Sequence, residues 1–183
     1  MIEIKDLNLS FGEKVVFNRY SVALPDEGVV VIMGDSGVGK TSLMRVMAGL
    51  LKPQSVTITG MEGRKISFAF QEARLLEHMT ALKNVSLVSD VNRATEMLTA
   101  LGMKEEMNQA ASKLSGGQKQ RVSLARALAF DNDIVFLDEP FAGLDPANKA
   151  LAVELISSVR LAIIVSHDEK DCELLPNTTK IRL

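Results

Sequence analysis

Val29-Val30-Val31-Ile32-Met33-Gly34-Asp35-Ser36-Gly37-Val38-Gly39-Lys40-Thr41 is the stretch on which the fold turns. Val29 to Met33 is a β-branched apolar run about as long as a strand buried on both faces. Lys40 to Leu51 follows with Leu43, Val46, Met47 and Leu50 at helical spacing, so strand, glycine loop and helix come in that order. Gly34 to Thr41 matches G-x-x-x-x-G-K-[ST] in the setting that motif requires. Its glycines let the backbone curl until successive N–H groups face phosphate oxygens, and the helix start adds the positive end of its dipole. Lys40 then supplies a point charge for β- and γ-phosphates, Thr41 a hydroxyl for Mg²⁺, and Ser42 a hydroxyl for a phosphate oxygen. Without that loop, Lys40 reads as an ordinary surface lysine.

Working outward, Ile134 to Leu137 and Leu161 to Val165 are two more continuous apolar strands, separated by a helix-like stretch from Pro146 to Val159. Such alternation predicts a parallel sheet covered by helices. Asp138 and Glu139 stand at the C-terminal end of the first of these strands, the edge at which open α/β sheets bind ligands. Asp138 is suited to hold Mg²⁺, directly or through water, and Glu139 to polarise a water attacking a γ-phosphate. Mg²⁺ keeps several waters, so Thr41 and Asp138 suffice as anchors. His167 ends the second strand and is expected at the same edge, within reach of the γ-phosphate. His78 has no acidic or metal-ligating neighbour at useful spacing and reads as surface or interface.

The opening of the chain differs. Ile2, Ile4, Leu7 and Leu9, then Val15, Phe17, Val22 and Leu24, predict short strands with turns at Gly12 and Pro25, forming an antiparallel edge sheet. Between Gln71 and Phe130 the pattern turns helical and ends in a basic helix from Gly117 to Ala129. We therefore expect one domain, with a core of residues 1–71 and 131–183 and a helical subdomain over residues 72–130.

Composition narrows the function classes. Hydrophobic residues make up 46% and charged residues 24% of the 183, which predicts a packed soluble fold. A formal charge of −2 with no basic block disfavours nucleic acid as a partner. The apolar runs fall far below the roughly 20 residues needed to cross a bilayer. The start lacks the pattern of a secretory signal, and Cys172 is the one cysteine, so no internal disulfide is expected and a cytosolic location fits.

Leu114-Ser115-Gly116-Gly117-Gln118-Lys119-Gln120-Arg121 stands between the two halves of the core. Here the sequence resembles the ATP-binding cassette (ABC) family, and the resemblance covers the chain in order: Phe11, the phosphate loop, Gln71, Leu114 to Gln118, Asp138-Glu139, Ala142-Gly143-Leu144-Asp145, and His167. It implies an α/β P-loop NTPase fold of RecA type, with helices on both faces of a parallel sheet, an N-terminal antiparallel edge and an inserted helical subdomain. It also implies roles: Phe11 stacks on adenine, Gln71 senses Mg²⁺ and the attacking water, and Asp145 communicates across a dimer. Ser115, Gly116, Gly117 and Gln118 would contact the ATP of a second, head-to-tail copy. On the residues themselves, Ser115 can cap a helix whose free N–H groups face an anion, or simply cap a helix.

The resemblance makes the chain the ATP-hydrolysing subunit of a membrane transporter, working with permease subunits and, indirectly, a solute-binding protein. It would sit on the cytoplasmic side of the cell membrane, held there by its transmembrane partners. With no membrane segment fused to it, a bacterial-type importer is expected. Gln71-Glu72-Ala73-Arg74-Leu75-Leu76 resembles the nitrate, sulfonate or taurine importer group. The alternatives are a soluble ABC ATPase uncoupled from transport and an unrelated P-loop kinase, which leaves the Ser115 to Gln118 motif unexplained. Three departures stand out: Phe11 in place of the commoner Tyr, a short Gly60 to Lys65 region expected to trim the edge sheet, and a short stretch after His167 with no room for a regulatory domain.

Overall fold

A computed structural model describes residues 1–168, 170 and 173–183, so Cys172 lies outside the described residues. The chain begins with two long strands, β1 (Ile2–Phe11) and β2 (Lys14–Leu24), followed by β3 (Gly28–Met33), α1 (Lys40–Met47), β4 (Ser55–Thr59) and β5 (Ile66–Ala69). Then come α2 (Ala81–Ser86), α3 (Val91–Ala100), a 3-10 turn at Ala111–Lys113, and α4 (Gly116–Ala129). The last elements are β6 (Ile134–Asp138), α5 (Pro146–Ser158), β7 (Leu161–Val165) and β8 (Thr178–Arg182).

The parallel sheet has the order β5-β6-β7-β3-β8. Its central strands are continuous apolar runs because both faces are covered. Val30 and Ile32 point into a core shared with α1 and the antiparallel sheet, whereas Val29 and Val31 point into a second core built with α2 to α5. Val30, Val31 and Ile32 are fully buried, and removing each such side chain from water is worth about 1.5–3 kcal/mol. The register Val31↔Ile164 and Leu137↔Ile164 sets β3, β7 and β6 side by side. The loops leaving their C-terminal ends are therefore neighbours.

The antiparallel edge sheet is present, with the order β2-β1-β4. Instead of several short strands, however, β1 and β2 are single long ones. Register shifts at Ile4/Leu7, Leu7/Leu9 and Leu9/Ser10, with Asp6 and Arg19 at positive φ, interrupt the alternation without ending the pairing. Despite the short Gly60 to Lys65 connection, β4 pairs along β1 from Glu3↔Thr59 to Asn8↔Ser55.

The helix expected to reach Leu51 stops at Met47. Gly49 takes φ 70°, its N–H bonds Val46 O, and the N–H of Leu50 bonds Arg45 O, a glycine-closed helix end that leaves Leu50 exposed. Three strands were not legible in the sequence: β4 and β5 are only five and four residues long, and β8 is polar at every position but Ile181. Helices α2 and α3 pack on each other and on α4, and α4 also packs against β5 and β6. Among the described residues no helix is long and apolar enough to cross a membrane.

Candidate active site

The phosphate loop closes between β3 and α1 through three glycines at positive φ: Gly34 (145°), Gly37 (77°) and Gly39 (117°). Gly39 is the N-cap of α1 and provides no side-chain cap, which leaves the first N–H groups of the helix free of any side-chain acceptor there. The buried Lys40 ammonium donates to the carbonyls of Gly34 at 2.8 Å and Asp35 at 2.9 Å, fixing its charge at the mouth of the loop. Gly34 has no space for a side chain, since a Cβ would lie 2.9 Å from Leu183 O and 3.2 Å from Val38 Cγ1.

Facing the loop, Asp138 ends β6 and is 1% exposed. Thr41 Oγ1 donates to Asp138 Oδ1 at 3.1 Å, while Asp138 Oδ2 is buried without a hydrogen-bond partner. Burial pushes the Asp138 carboxyl above the usual range, against the bond from Thr41 and the positive charges of Arg45 and Lys40. A buried, unpaired carboxylate oxygen beside a hydroxyl fits a hard cation that binds oxygen and keeps its own waters, as Mg²⁺ does. Among the described residues no group of three or more His, Cys, Asp or Glu side chains could hold a metal ion together.

Glu139 adopts φ 53°, an uncommon conformation for a side-chain-bearing residue, costing about 1 kcal/mol or more. It is held there from both sides: its N–H donates to Val165 O at 2.9 Å, and its carbonyl accepts from Gln120 Nε2 at 3.3 Å. Its carboxylate accepts from His167 Nδ1 at 2.8 Å, and this bond holds the His167 imidazole above its ordinary pKa. Glu139 is largely shielded and His167 is 70% exposed, so the pair presents an acceptor backed by a donor at the cleft rim.

These groups meet in one cleft of about 470 Å³, within the range of ligand pockets. Its lining combines Ser36, Gly37, Gly39, Lys40, Thr41 and Ser42 of the loop and helix start with Asp138, Glu139, His167, Gln71 and Phe11. Gly34, Asp35 and Val38 frame the turn without lining the cleft; Asp35 O also accepts from Val38 N at 3.4 Å. Lys14 and Val16 line the cleft too and escaped the sequence reading. The register Phe11↔Lys14 across the hairpin sets Lys14 beside Phe11.

Ser115, Gly116, Gly117, Gln118 and Asp145 do not line this cleft. Ser115 caps α4 in a reciprocal capping box: its Oγ accepts from Gln118 N at 3.3 Å, and Gln118 Oε1 accepts from Ser115 N at 2.8 Å. A Cβ at Gly117 would lie 2.8 Å from Gly143 O, so glycine there lets the helix start pack against the Ala142 to Asp145 turn. Asp145 caps α5 by accepting from Asn148 N at 3.0 Å and Nδ2 at 2.6 Å, bonds that hold its carboxyl below the usual range. Arg121 of α4 donates to Asn148 Oδ1 at 2.8 Å. The starts of α4 and α5 are thus brought together by the Gly117–Gly143 approach, and Ser115 and Asp145 stay outside the cleft. His78 is exposed and has no part in either.

A glycine phosphate cradle, a buried carboxylate for a hard cation and a Glu–His pair along one edge of a parallel sheet define a P-loop nucleotide-binding protein. The sequence profile of the ABC transporter family matches residues 17–142, more than half of the chain. This chain belongs to the ABC transporter family. The aliphatic sulfonates import ATP-binding protein SsuB of Zymomonas mobilis is 37% identical over 95% of this chain and 78% of its own length. The sulfate/thiosulfate import ATP-binding protein CysA of Vibrio vulnificus is 36% identical over 79% of this chain, which spans 48% of that relative. Two dimeric structures of MJ0796, a bacterial ABC transporter cassette, match with TM-scores of 0.86 at 26% identity, covering 100% of this chain and 94% of that one, and 0.84 at 27% identity, covering 99% and 94%; the second is bound to ADP and Pi in a post-hydrolysis state. The expected fold and the resemblance to ATP-binding subunits of the importer type are both borne out.

Proposed function

We propose that this chain is the ATP-binding and ATP-hydrolysing subunit of an ABC importer, and that it works as a head-to-tail pair. The observation that carries the reading is the division of its machinery: cradle, cation carboxylate and Glu139–His167 share one cleft, while the capped start of α4 lies outside it. Each cleft of the pair would be completed by Ser115, Gly116, Gly117 and Gln118 of the other copy, whose helix start offers N–H groups to an anion. Asp145, at the end of the turn that packs against this helix start, links the copies.

Within one copy, Phe11 stacks on the adenine, the Gly34 to Gly39 loop with Ser42 takes the phosphates, and Lys40 neutralises the β- and γ-oxygens. Thr41, Asp138 and Gln71 are the residues that would hold Mg²⁺, which when bound supplies further charge neutralisation. Glu139 accepts a hydrogen bond from the attacking water and His167 donates toward the γ-phosphate. Residues 72–130 form the helical subdomain and residues 1–71 and 131–183 the nucleotide core. The partners are membrane-spanning permease subunits, which keep the chain at the cytoplasmic face and select the solute, and a solute-binding protein acting through them. That the named relatives are import ATP-binding proteins supports transport over a soluble ATPase.

The test is Glu139→Gln, which removes the acceptor and leaves the cradle. It is expected to bind ATP, to lose turnover, and to accumulate as an ATP-dependent dimer by light scattering. A monomer at saturating Mg-ATP would refute the paired site.

A further inference from the structure

Gln71 hangs on an irregular segment between β5 and α2, yet that segment is fastened along its length to α4. Lys119 Nζ pairs with Glu77 Oε1 at 2.9 Å, and seven residues further on Arg126 donates from its two terminal nitrogens to the carbonyls of Arg74 at 3.0 Å and Ala73 at 3.1 Å. Residues seven apart lie on one face of a helix, about 10 Å from each other along its axis. On the other side of Gln71, the Phe70 ring packs on Phe68 at 4.4 Å and lies under the Arg74 guanidinium at 3.9 Å, with Arg74 at φ 45°. Gln71 is thus bracketed by Phe70 before it and by the Arg126 fork after it.

Arg126 is half-buried, and burial holds its guanidinium below its ordinary pKa. An apolar side chain would occupy such a place at lower desolvation cost. What an apolar group cannot do is satisfy two carbonyls of an irregular segment in a fixed geometry, for which a planar fork is suited.

We propose that Arg126 is a positioning residue for Gln71, acting through the Ala73 and Arg74 carbonyls, and that the Lys119–Arg126 face of α4 is the rail on which the Gln71 segment is mounted. This rests on the reading that Gln71 serves hydrolysis at the cleft. The same α4 carries Ser115 at its start and holds the Glu139 carbonyl through Gln120, so the rail joins the Gln71 segment to the helix start offered to the second copy.

The experiment is a double-mutant cycle on the purified chain, with Gln71→Ala, Arg126→Met and the pair, reading kcat, ATP affinity by calorimetry and Tm. Arg126→Met is expected to lower kcat about 10–100-fold, the scale of a small misplacement of a catalytic group, with ATP affinity unchanged. In the Gln71→Ala background the same change is expected to add less than about a twofold loss, because its route is already gone. Arg126→Lys, which keeps the charge on a single donor nitrogen and loses the fork, is expected to fall between. If Arg126→Met does not melt cooperatively, the cycle is run with Arg126→Lys. An unchanged kcat, or the full loss repeated in the Gln71→Ala background, overturns the proposal alone. A Gln71→Ala variant with normal kcat removes the role of Gln71 itself, and the proposal with it.

Discussion

Replacing Gly39 with alanine tests the cradle most directly, because the structure separates two costs there. The first is conformational: Gly39 sits at φ 117°, and a side-chain-bearing residue so placed is strained by about 1–3 kcal/mol. The second is steric. A Cβ at Gly39 would lie 2.7 Å from Val16 Cγ1, 2.9 Å from Phe17 Cζ and 3.1 Å from Phe17 Cε2. Neither neighbour yields easily, since Val16 is stiff at χ1 and the Phe17 ring is 6% exposed with Tyr20 at 5.1 Å. Overpacking of this kind costs about 1–3 kcal/mol more. The sum of about 2–6 kcal/mol corresponds to a fall in Tm of roughly 5–20 °C for a domain of this size. Gly37→Ala is the matched control: φ is 77° but no atom lies within 4 Å of the added Cβ, so only the conformational part applies. Thermal melts of the two variants should therefore differ by the packing cost, with Gly39→Ala the less stable. ATP affinity should also fall about tenfold in Gly39→Ala, because relief of the clash moves the start of α1 away from β2. Melts agreeing within about 1 °C, with ATP affinity unchanged at Gly39→Ala, would refute the packing of β2 against the cradle.

Lys40→Ala removes both the point charge and its two bonds to the loop carbonyls. Calorimetry should show ATP affinity reduced at least about tenfold, from roughly 1.5–3 kcal/mol for a charged hydrogen bond; an unchanged affinity contradicts the cradle. Ser115→Arg should leave ATP binding by the single copy intact while blocking turnover, and retained turnover sinks the shared site. The His167 imidazole, followed by NMR, should titrate above the ordinary value of about 6.5 and return toward it in Glu139→Gln. Because the folded pKa is raised, the His167–Glu139 ion pair contributes fully below the unfolded value and is lost as pH rises through the folded one. A midpoint unmoved by Glu139→Gln would mean that the 2.8 Å contact does not govern the ring.

Much of the chemistry is local, and local chemistry is legible. A loop that must point successive N–H groups at phosphate needs glycine at set positions and a lysine at the helix start, so Gly34 to Thr41 was readable by type and spacing alone. Asp138, Glu139 and His167 followed from strand ends, since a buried run stops where its chain emerges. The cap at Ser115 followed from a serine placed just before a helical run, while its reciprocal bond with Gln118 came from the structure. Harder to see were the long bulged strands β1 and β2, whose register shifts break the period-two signal, and β4, β5 and β8, which are too short or too polar to announce themselves.

Residue types and spacings, then, were enough to determine the strand–loop–helix unit and the class of ligand its loop is shaped for, whereas the roles expected of Phe11, Gln71, Asp145 and Ser115 to Gln118 came from the family resemblance. Only the tertiary structure decided that β6, β7 and β3 are neighbours, which is what gathers Asp138, Glu139, His167 and Lys40 into one cleft. It keeps Ser115 out of that cleft, and it alone tied Arg126 to the segment carrying Gln71. The reason is physical: strand order and long-range hydrogen bonds arise from which apolar faces cover one another across the chain, and no periodicity within a short window encodes that choice.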